Sequence, residues 1–253
     1  TVAGYNVGST TKRMFTEVVG MLPDPSFRTG RKIGRCCSAH GCSIWNGSRE
    51  KTGDKSMNDL LSRYPELEKC KGSIAEALEL LLAVYQNHGK VLVCGNGGSA
   101  ADSEHIVGEL MKGFLLPRQV TDERISMELR EKIQGALPAI SLCSQEGFLT
   151  AFSNDSDPDL VFAQQVYAYG KKEDLVIGIS TSGNSKNVVN ALKIAKEMGI
   201  KTLSLTGENG GLAEGFSTVC IKAPAKETYR IQEYHLPIYH YLCAKTEETF
   251  FGK

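Results

Sequence analysis

The sequence predicts an α/β fold, a three-layer αβα sandwich built on a five-stranded parallel sheet and preceded by N-terminal helices. Three observations lead there. Five short apolar runs, at 90–94, 138–143, 174–179, 201–206 and 218–222, are separated by helix-period segments. Their pattern is that of strands covered on both faces. Two of the strand-to-helix turns are rich in glycine and hydroxyl residues, as are the ligand-binding turns of open parallel sheets.

In chain order, residues 1–56 are rich in Gly, Ser, Thr and basic residues and show no sustained period, so a poorly ordered N-terminal extension is expected there. Within it, Cys36, Cys37, His40 and Cys42 are close together, but their spacing matches no usual paired zinc pattern and reads as incidental thiols. Met57-Asn58-Asp59 reads as a natural chain start and helix cap, and the folded domain is expected over 57–253. Leu60, Leu61, Leu67, Ile74, Leu78, Leu81, Leu82 and Tyr85 then recur at helical spacing, interrupted near Pro65, which predicts two helices with a broad apolar face suited to a contact between subunits. Further helices are expected from 99, near 159–170, at 185–198 and at 228–248, with a helical turn near 211–215. The charged segment 114–137 breaks the alternation, either as a surface excursion or as a lid or subunit contact.

Composition excludes several classes. Lys plus Arg equal Asp plus Glu at 29 each, so no global field draws the chain to nucleic acid or to a membrane surface. No apolar run approaches 18 residues and no secretory signal is visible, so the expected location is cytoplasmic. The eight cysteines look like free thiols rather than a disulfide framework.

The chemistry concentrates at the two turns. Gly95-Asn96-Gly97-Gly98-Ser99 lets the backbone approach a ligand closely at a helix N-terminus. Ser180-Thr181-Ser182-Gly183-Asn184-Ser185 surrounds a second helix start with hydroxyls that can share a phosphate with the partial positive charge of the helix end. Four residues apart on the first of these helices, His105 and Glu109 share one face. The run Gly95-x-Gly97-x-x-Ala100 imitates a dinucleotide fingerprint, but the next strand ends Ser141-Leu142-Cys143 with no acid for a ribose, and a Walker A lysine is absent.

Together with Asn154-Asp155, Leu205-Thr206-Gly207 and Arg230-Ile231-Gln232-Glu233 followed by His240, these motifs resemble the phosphoheptose isomerase family of sugar isomerase (SIS) domains over about residues 57–250. The resemblance implies a flavodoxin-like SIS fold and a cytoplasmic homotetramer that converts sedoheptulose 7-phosphate to D-glycero-D-manno-heptose 7-phosphate. It further implies one zinc ion per subunit on His105, Glu109, Gln232 and His240, with sugar hydroxyls and phosphate held by Asn96, Gly97, Gly98, Ser99, Asn154, Asp155, Ser180, Thr181, Ser182, Ser185 and Gln232. Those ligand types suit a borderline metal. Gln232 and His240 lie about 80° apart around the last helix, near enough to border one cleft. Aldose–ketose conversion needs a base and an acid, and these roles fall to Glu109 and His240. For Asn154-Asp155 the competing reading is a turn and helix cap, and His235 reads as a packing histidine. The proteins that associate with the bacterial replication initiator share the Gly-Asn-Gly-Gly-Ser-Ala-Ala form at 95–101, which leaves a non-catalytic adaptor as the alternative function.

Overall fold

A computed structural model describes residues 55–252, and the cysteine cluster at 36–42 and nearly all of the expected extension lie outside them. The first helix, α1 (Lys55–Arg63), already includes Lys55 and Ser56, ahead of the cap read at Asn58. Pro65 opens a 3-10 segment (Pro65–Cys70) that leads into α2 (Lys71–Gln86). The five expected strands follow as β1 (Val91–Gly95), β2 (Ala139–Ser141), β3 (Leu175–Ile179), β4 (Lys201–Gly207) and β5 (Val219–Ala223). Helix α3 (Gly98–Met111) and the short α4 (Met127–Arg130) lie between β1 and β2, and α5 (Glu146–Asp155) and α6 (Val161–Tyr169) between β2 and β3. Next come α7 (Lys186–Glu197), α8 (Gly211–Glu214) and the closing α9 (Thr228–Phe251).

The sheet is parallel throughout, in the order β2-β1-β3-β4-β5. Strand order therefore reverses at β1, whose two neighbours are reached by connections running to opposite sides. In an open sheet that is where a crevice forms at the carboxyl ends of the strands. Gly95 pairs with Ile179, so the turns after β1 and β3 emerge side by side at the same end.

Alternation along each strand divides the core in two. Val91, Val93, Leu175, Ile177, Leu203 and Ile221 pack with α1, α2, α3 and α9, while Leu92, Cys94 and Val176 pack with α6 and α7. Ile74, Leu78, Leu81, Val84 and Tyr85 of α2 are buried in this chain's own core, while Leu61, Leu80 and Leu82 of the same helical region are only partly buried. Leu115, Met127, Leu129 and Ile133 of the 114–137 segment are among the exposed large apolar side chains. Cys70, Cys94, Cys143, Cys220 and Cys243 are free thiols, as expected. No described helix is long and apolar enough to cross a membrane.

His235 is fully buried on α9, and its Nε2–H donates to the carbonyl of Thr206 on β4 at 3.1 Å. Burial lowers its pKa to about 4, against a smaller opposite effect of that hydrogen bond. Above pH about 6.5 the imidazole is neutral in folded and unfolded chains alike. Between about 6.5 and 4 the unfolded chain takes up a proton that the folded chain refuses, so acidification removes stability, on the order of 3 kcal/mol in all, and the loss levels off below 4. Denaturant midpoints measured at neutral pH and at pH about 4.5 should therefore diverge more for the natural chain than for His235→Gln. Equal divergence would assign the acid sensitivity to other groups.

Candidate active site

The first turn leaves β1 at Gly95 and enters α3 at Gly98. Gly97 has φ 56° and ψ −121°, a conformation that favours glycine. Asn96, Gly97 and Gly98 face solvent, whereas Ser99 is turned inward at 4% exposure and its N–H is given to the carbonyl of Asn96 at 3.0 Å. Asn96 itself forms a reciprocal amide pair with Asn187, with both N–H···O distances 2.9 Å. Asn187 stands in the first turn of α7, so this pair joins the two ligand-facing turns across the β1–β3 boundary.

The second turn is organised by its own hydroxyls. Ser180 is buried and donates to Ser185 Oγ at 3.0 Å, while Ser182 Oγ accepts the Asn184 N–H at 3.1 Å. Gly183 has φ 67°, and a Cβ there would lie 2.0 Å from the carbonyl oxygen of Gly210, so a larger residue would push the turn off α8. A cavity of about 320 Å³ is lined by Thr181, Ser182, Asn184, Glu208 and Lys226, and the Lys226 ammonium on its wall lies 3.4 Å from the Glu208 carboxylate. Lys226 is absent from the sequence reading, which rests the anion on the hydroxyls and the helix end.

The ionisable groups meet between α3 and α9. His105 Nε2 lies 3.2 Å from Glu109 Oε1 and 3.3 Å from His240 Nε2. The Glu109 side chain is 13% exposed, and its Oε2 is 3.2 Å from Lys112 Nζ. Burial, followed by the neighbouring His105, lowers the pKa of His240, with Glu109 opposing. A cavity of about 550 Å³ borders His240 between Arg63, Phe114 and Tyr241. Behind His105, the Tyr239 hydroxyl lies 3.0 Å from Nδ1 and 3.1 Å from Asp102 Oδ1.

Of the expected ligand set, the structure brings His105, Glu109 and His240 into mutual reach. Gln232 stands over the start of the same helix α3: a Cβ on Gly98 would come within 2.5 Å of its Nε2. Neighbouring N and O ligands around a tetrahedral zinc, with bonds of about 2.0–2.1 Å, sit roughly 3.3 Å apart. Donor kind and pairwise spacing at His105 thus fit zinc, although among the described residues no three or more His, Cys, Asp or Glu side chains already surround a single metal position. Asn154 and Asp155 lie exposed at the end of α5 and bond to one another at 2.8 Å, and the cap expected over 154–158 is made by Asp157, whose Oδ1 accepts the Asp159 N–H at 2.9 Å.

Arg118 and Glu247, both with fully buried side chains, pair at 2.8 Å. Glu247 also accepts the N–H groups of Phe114 and Leu115, each at 2.7 Å, and Arg118 donates to the backbone carbonyls of Leu110 and Glu109. The start of segment 114–137 is thereby strapped to α9, and the backbone of Glu109 is held by the same network. The preferred sequence reading of a surface excursion describes the far part of this segment, not its beginning.

The SIS domain family model matches residues 55–207. A phosphoheptose isomerase of Helicobacter pylori strain P12 is 42% identical over 204 residues, which cover 79% of this chain and 98% of the relative. One from Aneurinibacillus thermoaerophilus is 43% identical over 170 residues, covering 67% of this chain and 78% of the relative. Among solved structures, the phosphoheptose isomerase of Neisseria gonorrhoeae superposes with a TM-score of 0.60 at 35% identity, covering 76% of this chain and 96% of that one.

Proposed function

The chain belongs to the phosphoheptose isomerase family of SIS-domain proteins and is a phosphosugar isomerase; from that premise we propose that it interconverts sedoheptulose 7-phosphate and D-glycero-D-manno-heptose 7-phosphate. The observation that carries this reading is the meeting of Glu109 and His240 at one nitrogen of His105, on the helix that the glycine-rich turn opens.

Moving a carbonyl between adjacent carbons requires removing a proton from one and delivering a proton to the other through an enediolate. Glu109 is the base: its carboxylate projects from α3 and is largely shielded from water. His240 on α9 is the acid that returns the proton, its side chain facing the same nitrogen. Asn96, Gly97, Gly98 and Gln232 border the first turn and hold sugar hydroxyls. Thr181, Ser182 and Ser185, aided by Lys226, hold the phosphate, so the far end of the substrate is anchored while its carbonyl end meets the acid–base pair. Zinc on His105, Glu109, His240 and Gln232 would polarise the carbonyl oxygen as a Lewis acid.

Homotetramerisation and a cytoplasmic location belong to the same proposal; the exposed Met127, Leu129 and Ile133 supply an apolar surface for subunit contact. The test is turnover of sedoheptulose 7-phosphate by the full chain, with added zinc and after chelation, on material sized by light scattering. A tetramer that forms aldose, and loses at least tenfold in rate on chelation, is expected. Absence of aldose under both conditions would overturn the substrate, and a chelator-indifferent rate would remove zinc from the reading.

A further inference from the structure

Tyr239 is 2% exposed, yet its hydroxyl touches two polar groups, Asp102 Oδ1 at 3.1 Å and His105 Nδ1 at 3.0 Å. The rings of Tyr239 and His105 stand edge to face, with centroids 5.3 Å apart. The other carboxylate oxygen of Asp102 is buried with no hydrogen-bond partner, so the phenol is the group that engages this carboxylate. A phenol has one proton to give. With that proton kept on the phenol and donated to Asp102 Oδ1 in a hydrogen bond, the phenol oxygen accepts from His105, and His105 must carry its own proton on Nδ1.

From this proton count we propose that Tyr239, held by Asp102, is a positioning residue that fixes His105 as the Nδ1–H tautomer and turns an unprotonated Nε2 towards Glu109 and His240. Glu109 Oε1 and His105 Nε2, facing each other at 3.2 Å, then present two lone pairs to one space. Such a pair is stable with a cation between them, either a proton or a metal. A histidine that ligates a metal through one nitrogen donates from the other to an orienting group. Here that group is a phenol backed by a carboxylate, reaching across from α9 to α3. His105 and Tyr239 are 134 residues apart, and Tyr239 precedes His240 directly, so one turn of α9 supplies both the orienting hydroxyl and the facing imidazole.

This inference rests on the isomerase reading for its purpose, but the tautomer is measurable without it. Full-length protein labelled with nitrogen-15 at histidine, free of metal and at mildly alkaline pH, would be examined by long-range proton–nitrogen correlation, with the His105 signals identified by their loss in His105→Gln. The expected result is Nδ1–H for His105 in the natural chain and a shift towards Nε2–H in Tyr239→Phe, which keeps the packed ring. Zinc affinity, measured by competition with a chromophoric chelator, should fall about 10–100-fold in Tyr239→Phe. It should fall less in Asp102→Asn, which keeps the shape and an acceptor oxygen and serves if the first variant does not fold. Natural protein found as Nε2–H would overturn the proposal, because the proton chain would then run from a protonated Asp102 through Tyr239 to His105. So would a Tyr239→Phe protein with unchanged tautomer and zinc affinity. A tautomer shift in a chain that binds no zinc would uphold the positioning role and remove the metal from the functional reading.

Discussion

Glu109→Gln is expected to lower kcat by about 10²–10⁴-fold, the range contributed by a positioned general base. Glutamine matches the shape of the side chain and keeps an oxygen where Oε1 now faces His105, so folding should be preserved. What it lacks is the capacity to take a proton. Because the proposed phosphate grip lies on the other turn, KM should change much less than kcat, the signature of a group needed in the transition state. Lys112, 3.2 Å from Oε2, would lose its charged partner, but at 60% side-chain exposure that loss is a small matter for stability. A steady-state assay of purified Glu109→Gln decides the point, and a rate within a factor of three of the natural chain would remove Glu109 from proton transfer.

The largest expected effect on stability comes from Arg118 and Glu247. Burial alone would push the Glu247 carboxyl up, but the N–H groups of Phe114 and Leu115 and the Arg118 guanidinium outweigh it and hold its pKa below the ordinary value. Removing one partner leaves a charge buried and unpaired, which costs about 3–5 kcal/mol. Arg118→Met should therefore lower the denaturant midpoint strongly, and Glu247→Gln should do likewise, since an amide offers one acceptor oxygen where the carboxylate now serves donors on both. The double variant Arg118→Met/Glu247→Leu should recover part of the loss by removing both charges, yet not all of it, because the N–H groups of Phe114 and Leu115 would remain without acceptors. Since Arg118 also holds the carbonyl of Glu109, surviving single variants should show reduced kcat. Additive losses in the double variant would contradict the coupling.

The layered architecture was legible because its signals are local. Apolar runs such as Val91–Cys94 and Leu175–Ile179, each ending at a glycine- or hydroxyl-rich turn, announce buried strands with ligand-facing ends. Helix α5 escaped notice because its apolar stripe is short, Phe148, Leu149 and Phe152 alone, and only partly buried against the core. His105 and Glu109 were legible as a pair because four residues make one turn of helix. The hydroxyl of Tyr239, the amide of Asn187 and the ion pair of Arg118 with Glu247 were not, since each acquires meaning from a partner about 90 to 137 residues away. Such contacts are set by sheet order and helix packing, and no periodicity in the chain encodes them.

His105, Glu109 and His240 rest on the hydrophobic layer of α3 and α9, whereas the hydroxyl-rich turn opens α7 on the opposite layer. Helix α9 spans both, since Ile231 near its start lines the cavity beside the hydroxyl-rich turn and His240 further along it faces His105. A change in the pitch or position of this one helix would therefore be felt at both places at once.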